Sequence, residues 1–156
     1  MRAIISTIAL VLAVGAVMPI EADARSPRRV EEWGCIFVAK GVQAWSTIPE
    51  GPFDVSGMGS VKCLGGKQRL AVTVSVFQDI PGGPNLLLRQ SRYVRAYGRF
   101  EEWEFTDGIT CFPDAAPPTF PYFQKMKVKR TGQPGAIAVA SRNIANPCYK
   151  WGGPIP

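Results

Sequence analysis

The chain predicts an all-β fold, an antiparallel two-sheet sandwich of immunoglobulin-like layout with about seven strands, and three observations predict it. Short runs alternate apolar and polar residues at period two, which is the spacing of strands and not of helices. Gly and Pro clusters punctuate the text at 48–52, 65–66, 81–84 and 131–135, as turns between sandwich strands do. Four cysteines supply staples for a small core. A small open β-barrel fits the same pattern and stands as the alternative.

The N-terminus reads as a targeting segment. Arg2, an apolar run over 3–17, Pro19 and the triplet Ala22-Asp23-Ala24 form the three zones of a cleavable secretory signal, expected at 1–24. The run is shorter than the roughly 20 apolar residues of a membrane span. No cysteine follows it directly, so the chain is expected to be released, either to the periplasm or outside the cell. A basic tail over 25–31 is expected to be disordered, and 32–156 to form one disulfide-stapled β domain. Removing 1–24 takes Arg2, Glu21 and Asp23 from 18 basic and 12 acidic residues, which leaves 17 against 10 and a net charge of +7. A chain of that length buries roughly two-thirds of its unfolded surface, enough for one domain.

Residues 33–39 read as a first strand, continued over 42–48 across Gly41 with a bulge there. A turn at 48–52 leads into 53–63, and Gly65-Gly66 turns the chain again. The clearest strand is 69–78, where Leu70, Val72, Val74 and Val76 share one face and Thr73 and Ser75 the other. Its β-branched content argues against a helix. Residues 85–100 fit two readings. As a strand, Arg89, Ser91, Tyr93, Arg95, Tyr97 and Arg99 line one face; as a helix, Asn85 caps the start and Arg89, Arg92, Arg95 and Arg99 share a face. The β context favours the strand. Residues 100–111 form another strand, with Trp103 and Phe105 on one side and Glu102, Glu104 and Thr106 on the other. A proline-rich loop spans 113–121, and strands over 122–130 and 136–142 flank the last turn.

Export places Cys35, Cys63, Cys111 and Cys148 in an oxidising compartment, where an even count implies bridges. Three pairings are open. Cys35–Cys63 and Cys111–Cys148 are favoured because each ties the base of a local two-strand unit. With no histidine and no C-x-x-C spacing, neither a metal site nor a thioredoxin-like site is predicted, and no cofactor is implied.

The strand Leu70-Ala-Val-Thr-Val-Ser-Val-Phe-Gln78, preceded by Gly57-Met58-Gly59 and Cys63 and followed by a Gly/Pro turn, resembles small secreted bacterial disulfide-containing β-sandwich proteins of unknown function. The resemblance runs from about Gly57 to Cys148 and bears on the fold. The chain departs from that pattern in its 113–121 loop and its early Cys35.

Without histidine, Ser-His-Asp and Cys-His catalysis are closed to this chain. Asp54-Val55-Ser56-Gly57-Met58 lacks the first glycine of a nucleophile elbow. Gly57-Met58-Gly59 does not continue into a phosphate loop. Glu102 and Glu104 are roughly 7 Å apart along a strand, a separation glycosidase carboxylates use, but a solvated outer face paired with lysines explains them as well. Trp33, Trp45, Trp103 and Trp151 are claimed first by core packing. The strongest functional signal is charge. Arg89, Arg92, Arg95 and Arg99 interleave with Tyr93 and Tyr97, and Lys125, Lys127, Lys129 and Arg130 mark a second strand. Neighbouring stripes of this kind attract anionic polysaccharides, envelope polymers or membrane head groups; the competing explanation is a solubilising face. Export makes nucleic acid a poor partner. The leading expectation is a non-enzymatic binding module. A glycan hydrolase using Glu102 and Glu104, and an inhibitor or toxin contacting its target through 113–121, are the alternatives.

Overall fold

A computed structural model describes residues 28–45, 53–111 and 120–144. Nine strands are present among them: β1 (Arg29–Glu32), β2 (Cys35–Trp45), β3 (Phe53–Cys63), β4 (Gln68–Gln78), β5 (Leu86–Tyr97), β6 (Glu102–Phe105), β7 (Ile109–Cys111), β8 (Tyr122–Arg130) and β9 (Ile137–Ala140). One sheet runs β1-β2-β3-β6 with β7 also on β3, and the other runs β5-β4-β8-β9, every pairing antiparallel. We call them sheets A and B. The two pack face to face and do not close into a barrel. If β2, β3 and β6/β7 are taken as strands A, B and E, and β5, β4, β8 and β9 as C′, C, F and G, the order is that of an immunoglobulin-like Greek key without strand D.

Strand β4 forms the centre because its alternation commits one whole face to the core. Leu70, Val72, Val74 and Val76 are fully buried, and each contributes roughly 1.5–3 kcal/mol by leaving water. Leu70, Val72 and Val74 meet Met126 and Val128 of β8 and, across the sandwich, Phe37, Val61 and the Cys35–Cys63 pair, while Val76 packs with Val42, Val55 and Tyr122. Gly57 and Gly59 let the sheets approach: a Cβ on Gly57 would lie 2.8 Å from Val76 Cγ2 and 2.9 Å from Gln124 Cγ, and one on Gly59 would lie 2.8 Å from Met126 Sδ. Those contacts explain the glycines without any phosphate loop.

Cys35 and Cys63 sit directly opposite each other on β2 and β3 and are bonded. This pairing is the one favoured from hairpin geometry. It closes a separation of 28 residues, which restricts the unfolded chain by about 3–4 kcal/mol. A disulfide of this kind is consistent with an oxidising extracellular or periplasmic compartment. The expected Cys111–Cys148 bridge involves residues outside those described, as does the expected turn at 48–52.

Two departures raise the strand count from seven to nine. Residues 29–31, expected to belong to a disordered tail, pair with β2 from Arg29↔Val38 to Glu32↔Cys35. Val30 packs on the core, which gives that short strand its anchor. The expected single strand over 100–111 is divided into β6 and β7. Met58↔Phe105 and Val55↔Ile109 enclose three steps on β3 but four on its partner, so one extra residue is accommodated as a bulge. Thr106 fills it: its Oγ1 accepts from Gly57 N at 2.9 Å and its own N–H donates to Gly57 O. The bulge expected at Gly41 is present, with the register shifting between Ala39 and Gly41 at φ 116°. Residues 86–97, which the sequence left between helix and strand, form β5.

Candidate functional site

Directly opposed residues of an antiparallel pair point to the same side of the sheet. Arg89, Ser91, Tyr93 and Arg95 oppose Val76, Val74, Val72 and Leu70, so they take the inward side of sheet B. Because β5 is an edge strand, that side looks across the sandwich margin onto residues 102–107. Each polar group finds a partner there. Arg89 Nη2 lies 4.0 Å from Asp107 Oδ2, and Ser91 Oγ accepts from Asp107 N at 2.9 Å. Tyr93 OH donates to the Phe105 carbonyl. Arg95 donates through Nε to Glu104 Oε1 at 2.6 Å and bridges Glu102 Oε2 at 3.1 Å, while Tyr97 OH donates to Glu104 Oε1 at 2.6 Å.

The face assignment of β6 is thereby corrected. Glu102 and Glu104 do not lie on a solvated outer face beside lysines. Glu104 is only 3 % exposed and points inward, whereas Trp103 is 40 % exposed and points outward. The inversion arises because β6 covers Arg95 and Tyr97, whose polar heads need an acceptor inside. Burial, and next the hydrogen bond to Glu104, hold the Tyr97 hydroxyl well above the ordinary tyrosine range. Tyr93 is raised too, by burial and then by the Glu104 charge. Both glutamates serve as counter-charges to Arg95.

Strand register brings a different set together on the outer face of sheet B. Along β4 the outward residues are Arg69, Ala71, Thr73, Ser75 and Phe77. Thr73 opposes Arg92 on one side and Lys127 on the other; Ala71 opposes Lys129, and Ser75 opposes Gln90 and Lys125. The small side chains of β4 make a floor, with Arg92 and Gln90 along one wall and the three lysines along the other. They enclose a shallow trough of about 390 Å³. Two strand spacings separate Arg92 from Lys127, about 10 Å, and successive lysines stand about 7 Å apart. A second trough of about 410 Å³, floored by Ala136 and Ala138, lies beyond the lysine ridge. Lysine stems cover the first floor closely enough to leave Ser75 7 % exposed.

None of Arg69, Arg92, Lys125, Lys127 or Lys129 enters an ion pair among the described residues, and no acidic residue occupies an outward position on β4, β5 or β8. Desolvation, followed by repulsion from Lys127, lowers the Lys125 pKa. An anion laid beside Lys125 would offset the repulsion.

Of the predicted binding residues, Arg92, Lys125, Lys127 and Lys129 thus share one face. Arg89, Tyr93, Arg95 and Tyr97 lie on the opposite side of the same sheet. Arg99 is apart from both, beyond the end of β5, where it lines a cavity with Lys67, Phe100 and Glu102. Arg69 was missed, although its period-two relation to Thr73 and Ser75 puts it on their face. The inhibitor loop expected at 113–121 lies almost wholly outside the described residues. Among the described residues, no helix is long and apolar enough to cross a membrane.

No family model matches the chain, and no curated protein matches it. Among solved structures it is similar to the D341A D367A calcium-binding mutant of Bacteroides uniformis β-glucuronidase 2, at 13 % identity and a TM-score of 0.44. That likeness covers 74 % of this chain and 14 % of the other.

Proposed function

We propose that the protein is a secreted, non-enzymatic binding module that holds an anionic partner on the outer face of sheet B. The observation carrying this reading is the set of five cations, Arg69, Arg92, Lys125, Lys127 and Lys129, gathered on one face without a carboxylate to neutralise them among the described residues. Unpaired surface cations keep their full attraction for a ligand, whereas an ion-paired cation must first exchange its partner. Three other charged positions support the reading by contrast. Arg95 is engaged by Glu102 and Glu104. On sheet A, Lys40 pairs with Glu101 at 3.2 Å and stands over the Trp103 ring, and Arg29 pairs with Glu31.

Two-dimensional NMR of the labelled protein, titrated with a short alginate oligouronate at low salt, tests the location. Shifts are expected at Ala71, Thr73, Ser75, Arg92 and Lys125 to Lys129, and to reverse on adding salt. Shifts centred instead on Lys40, Glu101 and Trp103 would contradict the proposal.

A further inference from the structure

The cationic face is not flat, and its shape narrows what it can hold. A row of three lysines runs with β8 along one side of a floor, and a single cation, Arg92, stands on the other side beside Gln90. The floor itself is uncharged and polar at its middle: Thr73 and Ser75 line it, with Gln90 on the wall. The side chains of these three residues form no hydrogen bond with another described residue, so their donors and acceptors face the trough. A bilayer surface would meet the protruding ends of the lysines and Arg92 and leave the floor unused. Apolar side chains do stand beside the charges, Val94 opposite Ala71 and Leu87 opposite Phe77, each about half exposed, so vesicles of stated composition are one arm of the test. A compact anion such as a single phosphate would use one wall only, since the walls are about 10 Å apart. A bare phosphate chain would neutralise the cations but offer no hydroxyls to Thr73, Ser75 and Gln90.

Building on the anion-binding reading, we infer that the trough takes one extended chain of an acidic polysaccharide lying along β4, its acidic groups following the lysine row with one reaching Arg92, and its hydroxyls on Thr73, Ser75 and Gln90. The floor from Ala71 to Phe77 sets the length of chain that is gripped, about 20 Å at the rise of a strand. The small side chains at Ala71 and Thr73 allow close approach, and Phe77 offers an apolar surface to a sugar ring at one end of the floor. The partner is recognised along its length and not by its end, so the site suits attachment to a polymer and not cleavage of it.

The test uses the full mature protein and three probes: alginate oligouronates of graded length, polyphosphate, and vesicles of phosphatidylglycerol with phosphatidylcholine. Affinity for oligouronates is expected to rise with length and to level off once the chain spans the floor, about 20 Å. Thr73→Gln, which fills the trough without changing charge, is expected to weaken oligouronate binding about tenfold while leaving vesicle adsorption as in the parent. Ala71→Gln, a plug one pleat away, should act in the same direction, and Thr73→Ser should bind as the parent does. Unaltered oligouronate binding in both plugged variants, with loss of binding only when lysines are removed, would overturn the trough and leave the anion-binding face standing. So would vesicles or polyphosphate bound more tightly than the oligouronate at equal charge. A parent protein that binds none of the three probes would overturn both.

Discussion

Positive charge collects at two places on sheet B, on opposite sides of one strand. On the inward side of β5, Arg89 and Arg95 each meet a carboxylate, and Tyr93 and Tyr97 donate to an acceptor on β6. On the outward side, Arg92 joins Arg69 and the three lysines, and no carboxylate meets them among the described residues. The first arrangement behaves as a seam that fastens the open margin of the sandwich. The second is the face we propose as the receptor surface. Residue type is the same in both, so the difference lies in which side of the sheet each side chain occupies. An arginine facing residues 102–107 is consumed by structure, and one turned the other way remains available to a ligand.

Breaking the seam should have the largest effect. Glu104→Ala leaves the buried Tyr97 hydroxyl without its acceptor and takes one of two carboxylates from the half-exposed Arg95, and should lower stability by about 2 kcal/mol in urea denaturation, the range for leaving a buried polar group unpaired. A loss below about 1 kcal/mol would mean that the seam is as weak as an ordinary surface ion pair.

Tyr97→Phe is expected to cost less, about 1 kcal/mol at neutral pH, because Glu104 loses one donor but keeps Arg95. Its signature is the pH dependence. The folded-state pKa of Tyr97 is raised above its unfolded value, so its contribution is complete below about pH 10 and is lost as pH climbs beyond that toward the folded value. The parent should therefore lose stability steeply above about pH 10, and the phenylalanine variant less steeply.

On the receptor side, Lys127→Ser with Lys129→Ser should change stability by no more than about 0.5 kcal/mol, as expected for exposed positions without a partner. A larger loss in a thermal melt would show these lysines to be structural after all. Smallest in energy, but directional, is the titration of Lys125. Followed by NMR of the ε-amine, it should deprotonate below the ordinary lysine range, and a bound oligouronate should raise its pKa by offsetting the repulsion.

Much of the layout can be read from periodicity. The β4 alternation, the Gly41 bulge and the Cys35–Cys63 staple follow from residue spacing and turn residues. The two-way division of β5 does not, because alternation shows which residues share a face without showing which face is inside. On β4 the contrast between Leu70-Val72-Val74-Val76 and Thr73-Ser75 resolves that question. On β5 both faces are polar, and on β6 apolarity points the wrong way: Trp103 is outside and Glu104 inside. Only the pairing of β5 with β4, and the placement of β6 across from it, fix the orientation, and both are long-range contacts. Arg69 escaped notice for a simpler reason, since it opens a strand whose other outward residues are small and neutral.

Two charge-matched variants test the distinction between seam and receptor most directly. One carries Arg92→Ser, Lys127→Ser and Lys129→Ser; the other carries Arg29→Ser, Lys40→Ser and Arg89→Ser, three cations that already have partners. Both lose the same net charge. Elution from an alginate column in a salt gradient should shift sharply to lower salt for the first and stay near the parent for the second. Elution of both at one salt concentration would show that retention follows bulk charge alone, and would contradict the assignment of a binding face to sheet B.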